Sequence, residues 1–233
     1  NLDNFNSVEV LDVSDPTKGG NNDFKGFYGG FAENEYGYII PFYNGDDYHG
    51  NVVRLNLNTF DSVDVLDLST VNGENEIDLR GFSTGFAENG YGYLLPGGGS
   101  MTELVVRFEL TSPQPVEVLD VTTATGGNID LKGFSFGFKT KLYGYLVPHY
   151  NGNNYHSNVV RFNLNTFDSV EVLNLNTLYG GNSDLKGFAG GFVAGDYGYL
   201  VPFRNGNNYH GNVVRFNLDN FNSVEVLDVS DPT

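Results

Sequence analysis

Apolar and polar positions alternate along this chain in short runs, each stopped by glycine, asparagine or proline before a helical period of three to four residues establishes itself. Four such runs recur in a fixed order. The first is KGFYGGF at 25–31, repeated as RGFSTGF from Arg80, KGFSFGF from Lys132 and KGFAGGF from Lys186. The second is YGYIIPF at 36–42, repeated as YGYLLP from Tyr91, YGYLVPH from Tyr143 and YGYLVPF from Tyr197. The third is NVVRLNL at 51–57, with LVVRFEL from Leu104 and NVVRFNL from Asn158 and Asn212. The fourth is SVDVLDL at 62–68, with PVEVLDV from Pro115, SVEVLNL from Ser169 and SVEVLDV from Ser223. Each run predicts a strand, and the short polar connections after the first and third predict hairpins. Both alternating sets of the second and third runs are largely apolar, so these strands are expected to be covered on two faces. The fourth carries an acidic position and reads as a half-exposed outer edge. The glycines of the first suit a crowded inner strand, where Phe27 and Phe31, four apart, are expected on one face.

The triplet Val-Val-Arg ends at Arg54, Arg107, Arg161 and Arg215, at spacings of 53, 54 and 54 residues. Four short strands per unit form an antiparallel meander, and four such units predict an all-β, β-propeller-like array of four four-stranded blades. The blades are expected at about 25–68, 80–121, 132–175 and 186–229, within one domain over 18–233.

Residues 1–17 lie outside this count. They read NLDNFNSVEVLDVSDPT, and residues 217–233 repeat them without a mismatch, whereas the internal counterparts differ. The two ends are therefore copies of one particular segment, 216 residues apart, and 1–17 is expected to form one extra N-terminal strand. Such a strand can add to another copy of the chain, or mark a longer array with a period of 216 residues. The residues that would carry this assembly are Val8, Val10, Leu11 and Val13, with Val224, Val226, Leu227 and Val229.

Composition narrows the function. With 29 acidic and 12 basic residues the net charge is −17, which repels phosphate backbones and disfavours nucleic acid as a partner. No apolar run approaches the length of a membrane span. The chain has no cysteine, and it matches no N-glycosylation, G-x-S-x-G, H-E-x-x-H or EF-hand pattern. An enzyme, a cofactor and a metal are accordingly not expected. Arg54, Arg107, Arg161 and Arg215 recur once per unit and are expected to form ion pairs between strands or blades.

The connection from second to third strand is the best candidate binding site. Asn44, Tyr48 and His49 recur as Asn151, Tyr155 and His156 and as Asn205, Tyr209 and His210; the second unit has PGGGSMTE instead. Strand parity places these loops on the same side as the fourth-to-first connections. Amide, phenol and imidazole groups beside aromatic rings suit sugar hydroxyls, though Asn-Gly equally makes a turn and His equally caps backbone.

The order of a Gly-rich inner strand, Tyr-Gly-Tyr in the second, Val-Val-Arg-Phe-Asn-Leu in the third and an acidic-apolar fourth resembles the kelch-type β-propeller blade. The chain departs from that type in lacking the paired glycines that end its second strand and its tryptophan. The fuller pattern D-L-K-G-F-x-G-G-F…Y-G-Y-L-V-P-x-x-N-G…H-G-N-V-V-R-F is similar to uncharacterised tandem arrays of algal and protist proteins. The resemblance implies a fold more than an activity. Two functions follow as expectations: a non-enzymatic extracellular structural protein that self-associates head to tail into a homo-oligomer, fibre or surface assembly, and a multivalent carbohydrate-binding propeller.

Overall fold

The computed structural model describes residues 6–70, 77–97, 102–112, 116–178, 180–206 and 208–230. Its strands form four antiparallel four-stranded sheets, each in simple chain order. The first comprises β1 (Phe27–Glu33), β2 (Tyr36–Pro41), β3 (Asn51–Asn56) and β4 (Val63–Asp67). The second comprises β5 (Phe82–Glu88), β6 (Tyr91–Pro96), β7 (Leu104–Glu109) and β8 (Val116–Asp120). The third comprises β9 (Phe134–Lys139), β10 (Tyr143–Pro148), β11 (Asn158–Asn163) and β12 (Val170–Asn174). The fourth comprises β13 (Phe188–Ala194), β14 (Tyr197–Pro202), β15 (Asn212–Asn217) and β16 (Val224–Asp228). The inner strands stand side by side, β1 against β5, β5 against β9 and β9 against β13, so the sheets are the blades of a propeller-like array.

The core lies between blades. On the side turned to the following blade, the forward face, the first blade presents Tyr38, Ile40, Val52 and Leu66. These pack on Phe82, Leu94, Val106 and Phe108 of the second blade's back face. The same positions build the other two interfaces, where Leu95, Val105 and Leu119 meet Phe134, Leu146 and Phe162, and Val147, Val159 and Leu173 meet Phe188, Leu200 and Phe216. The first three outer strands each run into a short helical turn whose first residue, Leu68, Val121 or Leu175, is buried in the same interface. Burying one such aliphatic or aromatic side chain contributes about 1.5–3 kcal/mol.

One expectation about the inner strand is corrected. Phe27 packs with Val53 and Leu55 on the back of the first blade, whereas Phe31 stacks on Tyr38 and packs on the forward side. The register with β2 shifts between Phe27 and Gly29, and the same irregularity recurs in the other three blades. One extra residue inverts the alternation, so the two Phe of each pair face opposite sides of the blade, and in the second and third blades they serve both interfaces. The glycines between them do admit the neighbouring blade: a Cβ on Gly29 would lie 2.6 Å from the Ser83 carbonyl oxygen of β5.

The arginines pair within blades. Arg107 meets Glu117 through two bonds of 2.8 Å, and Arg161 meets Glu171 through two of 3.0 Å. Arg54 pairs with Asp64 and Arg215 with Glu225. Arg80 with Asp47 and Lys139 with Glu88 link adjacent blades.

The N-terminal copy is not a strand over the described residues. Residues 8–12 lack sheet pairing, while the identical Val-Glu-Val-Leu-Asp at Val224–Asp228 is β16. The difference is the neighbour: β15 supplies the ladder to β16, from Asn212 opposite Asp228 to Phe216 opposite Val224, and among the described residues no strand pairs with 8–12. The segment instead lies along the back of the first blade, where Leu11 and Val13 pack with Val53, Leu55 and Val63. Residues 1–5 and 231–233 of the two copies lie outside the described residues.

Candidate functional site

The Asn-Gly loops are closed hairpins held by their own side chains. Asn44 Oδ1 accepts the backbone N–H groups of Asp46 and Asp47, both at 2.9 Å, and Asn151 Oδ1 does the same for Asn153 and Asn154 at 3.0 and 2.9 Å. Gly45, Gly152 and Gly206 have φ of 106°, 95° and 133°, which asparagine-glycine turns require. The N–H groups of His49, His156 and His210 close the loops on the carbonyls of Phe42, His149 and Phe203. Asn44 and Asn151 therefore use their acceptors on their own turns. Of the second blade's replacement loop, residues 98–101 lie outside the described residues.

The imidazoles face inward. His49 meets the edge of Phe27 at 5.4 Å, His156 that of Phe134 at 5.4 Å and His210 that of Phe188 at 5.5 Å. His49 and His156 are buried, and His210 is half-buried. Burial holds the His49 and His149 rings below the ordinary histidine range and His156 at about 4. His156 Nε2 accepts the His149 N–H at 3.3 Å, which fits a neutral ring. His49 and His156, possible sugar ligands on the sequence, pack between hairpin and inner strand and are largely shielded from solvent. Among the described residues no group of three or more His, Asp or Glu could hold a metal ion.

What these loops do is join blades. The His156 carbonyl accepts the Gly187 N–H of the next blade at 3.2 Å. Tyr155 lies against Gly187, where a Cβ would come within 2.6 Å of its ring. Tyr48 borders the cleft between the first and second blades with Asp78, Arg80 and Glu103. The fourth blade has the same loop with no blade against it among the described residues, and its Tyr209 is 72% exposed.

The opposite edge of the second and third interfaces is joined by an arginine. Arg107 lies 4.7 Å over Tyr91 of its own blade and 4.5 Å over Phe167 of the next, and its Nη1 donates to the Leu164 carbonyl at 3.2 Å. Tyr93 donates to the same carbonyl at 2.9 Å. Arg161 repeats the arrangement with Tyr143, Phe221 and the Leu218 carbonyl. Arg215 has only the inner half, Tyr197 at 4.4 Å and Glu225. No sequence pattern marks this sandwich, although the recurrence of the arginines and of Phe167 and Phe221 was a usable signal.

The assembly residues fall into two half-buried sets. In the N-terminal copy Leu11 and Val13 are covered while Val8 and Val10 are 77% and 87% exposed. In the C-terminal copy the equivalent Val224 and Val226 pack into the core of the fourth blade while Leu227 and Val229 are 65% and 61% exposed. The positions covered in one copy are those exposed in the other. With Phe192, Val201 and Val213, the exposed Leu227 and Val229 extend an apolar forward face on the fourth blade, whose counterparts in the first three blades are covered.

No family model matches the chain, and no curated protein is significantly similar to it. Solved structures share its fold. YCF48 bound to D1 peptide superposes with a TM-score of 0.53 at 11% identity, over 87% of this chain and 52% of that one. Apo AztD from Citrobacter koseri superposes with a TM-score of 0.50 at 8% identity, over 88% of this chain and 48% of that one. Both are β-propeller proteins, and this chain spans about half the length of each.

Proposed function

We propose that the chain is a non-enzymatic structural repeat protein, close in blade design to the kelch type, whose copies join head to tail through the segment repeated at their ends. The observation that carries this reading is the exchange of burial between identical sequences: Leu227 and Val229 expose what Leu11 and Val13 cover, and Val8 and Val10 expose what Val224 and Val226 cover. A large exposed apolar patch on a sheet face marks an interaction surface. The product of such joining is a fibre or surface assembly, in an extracellular setting, with further copies of the chain as the partner. Light scattering and negative-stain microscopy over a range of concentrations test it. Mass should rise with concentration, and Leu227→Asp with Val229→Asp should abolish the rise. A 25.6 kDa particle at every concentration overturns it.

A second reading, carbohydrate binding, is supported by an aromatic row on the loop side, with the sugar stacking on rings rather than bonding to imidazole. Tyr150, Tyr155, His149, Phe203 and Tyr209 follow one another at centroid distances of 5.2 to 5.6 Å across the third and fourth blades. Loss of glycan-array binding on Tyr209→Ala, with folding intact, would support it; an unchanged or blank array would remove it.

A further inference from the structure

The three internal interfaces show what a blade needs from its successor, and among the described residues no blade covers the forward face of the fourth. None covers the back face of the first in the same way. Its back face carries Phe27, Ile39, Val53 and Leu55, the counterparts of Phe82, Leu94, Val106 and Phe108, and among the described residues of the N-terminal copy Leu11 and Val13 pack with them from the preceding side. Leu11 and Val13 align in sequence with Leu66 and Leu68, the two outer residues that the first blade turns to the second. The N-terminal copy thus stands where the outer strand of a preceding blade would stand.

We infer that the forward face of the fourth blade stacks on the back face of the first blade of a second copy, and that β16 displaces that copy's residues 8–13 in doing so. This rests on the head-to-tail reading and specifies its joint. One place exists for an outer strand at the joint, and two identical segments fit it. β16 brings its ladder to β15, and residues 8–12 have none, so β16 holds the place. The segment 8–13 is therefore a removable cover of the first blade, not the strand donated.

The internal interfaces name the new contacts. Arg107 and Arg161 each find a ring and a carbonyl in the next blade, Phe167 with Leu164 and Phe221 with Leu218. The equivalent residues of the first blade are Phe60 and Leu57, so Arg215 is to meet the Phe60 ring and Leu57 carbonyl of the second copy. Tyr155 rests on Gly187, and the His156 carbonyl accepts its N–H; Tyr209 and the His210 carbonyl are to meet Gly26 of the second copy likewise.

The test uses the full chain. Leu11→Asn with Val13→Asn loosens the cover, and the dissociation constant between copies should fall roughly tenfold, the equivalent of about 1.4 kcal/mol. A photoreactive benzoyl-phenylalanine introduced at Tyr209, in a mixture of isotopically light and heavy chains, should crosslink to 25–27 of a different copy. Association that is weakened or unchanged by the Leu11 and Val13 substitutions overturns the displacement while leaving head-to-tail joining in place. Intermolecular crosslinks elsewhere than the first blade overturn the joint. If neither the parent nor the loosened chain associates, the head-to-tail reading falls and this inference with it.

Discussion

The guanidinium of Arg107 lies 4.5 Å from the centre of the Phe167 ring, across the interface between the second and third blades. Its other face covers Tyr91, and Glu117 holds its edge, so one cation is sandwiched by two rings and gripped by a carboxylate in a buried place. Phe167 should cost about 3 kcal/mol of stability when truncated to alanine, the usual loss for a buried aromatic. Arg107→Lys should cost on the order of 1–3 kcal/mol, because ammonium keeps the charge but not the planar fork or the stacking. Urea unfolding of both variants checks the pair.

Arg80 provides the contrast. It pairs with Asp78 and Asp47, yet all three side chains are largely open to water. Arg80→Ala should change stability by less than about 1 kcal/mol, and most of that change should vanish in high salt. The same unfolding experiment at two ionic strengths measures it.

Two glycines with similar backbone angles should respond differently. Gly133 has φ of 69°, and a Cβ there would lie 1.9 Å from the Tyr150 carbonyl oxygen, whereas Gly126 has φ of 83° with nothing within 4 Å. Gly126→Ala should cost about 1 kcal/mol from the left-handed backbone alone. Gly133→Ala must also push the third blade's hairpin away and should cost several times as much. Thermal melts of the two variants compare them directly.

Acid should weaken the fold before carboxylates titrate. Burial lowers His156 to about 4, so below pH 6.5 the unfolded chain takes up a proton that the folded chain refuses. Above pH 6.5 both states are neutral and nothing is lost. Between 6.5 and 4 the loss grows by about 1.4 kcal/mol per pH unit, to about 3 kcal/mol in all. His49 and His149 act in the same direction. Urea midpoints at pH 7 and 4.5 should differ, and His156→Phe, which keeps the ring against Phe134, should reduce the difference.

The fold was legible because it is periodic. Val-Val-Arg, Tyr-Gly-Tyr and Gly-Phe recur at one spacing, and a four-strand meander repeated at that spacing has few architectures in which both faces of its middle strands are covered. The candidate sugar site was less legible. His49 and His156 share a motif with exposed turn residues, and sequence does not tell a histidine that points out from one that packs on Phe27 or Phe134. The register shift beside Phe27 was invisible too, because an irregularity of one residue leaves the apolar pattern intact while reversing the face.

The two ends show where sequence stops. In both copies the aspartate after Val-Glu-Val-Leu accepts from the serine two residues on, Asp12 from Ser14 and Asp228 from Ser230, each N–H at 2.9 Å. That turn is local, and seventeen identical residues make it in both places. The preceding five residues are a strand at Val224–Asp228 and an unpaired stretch at 8–12, because hydrogen bonds of a ladder come from a neighbour. Which valines and leucines are covered was decided in the same way: β15 and the third blade's core take one side of the segment, and the back of the first blade takes the other. Sequence alone determined the repeat, the turns and the apolar alternation, which depend on near residues. Pairing and burial depend on what lies across the interface, and only the tertiary structure decided them.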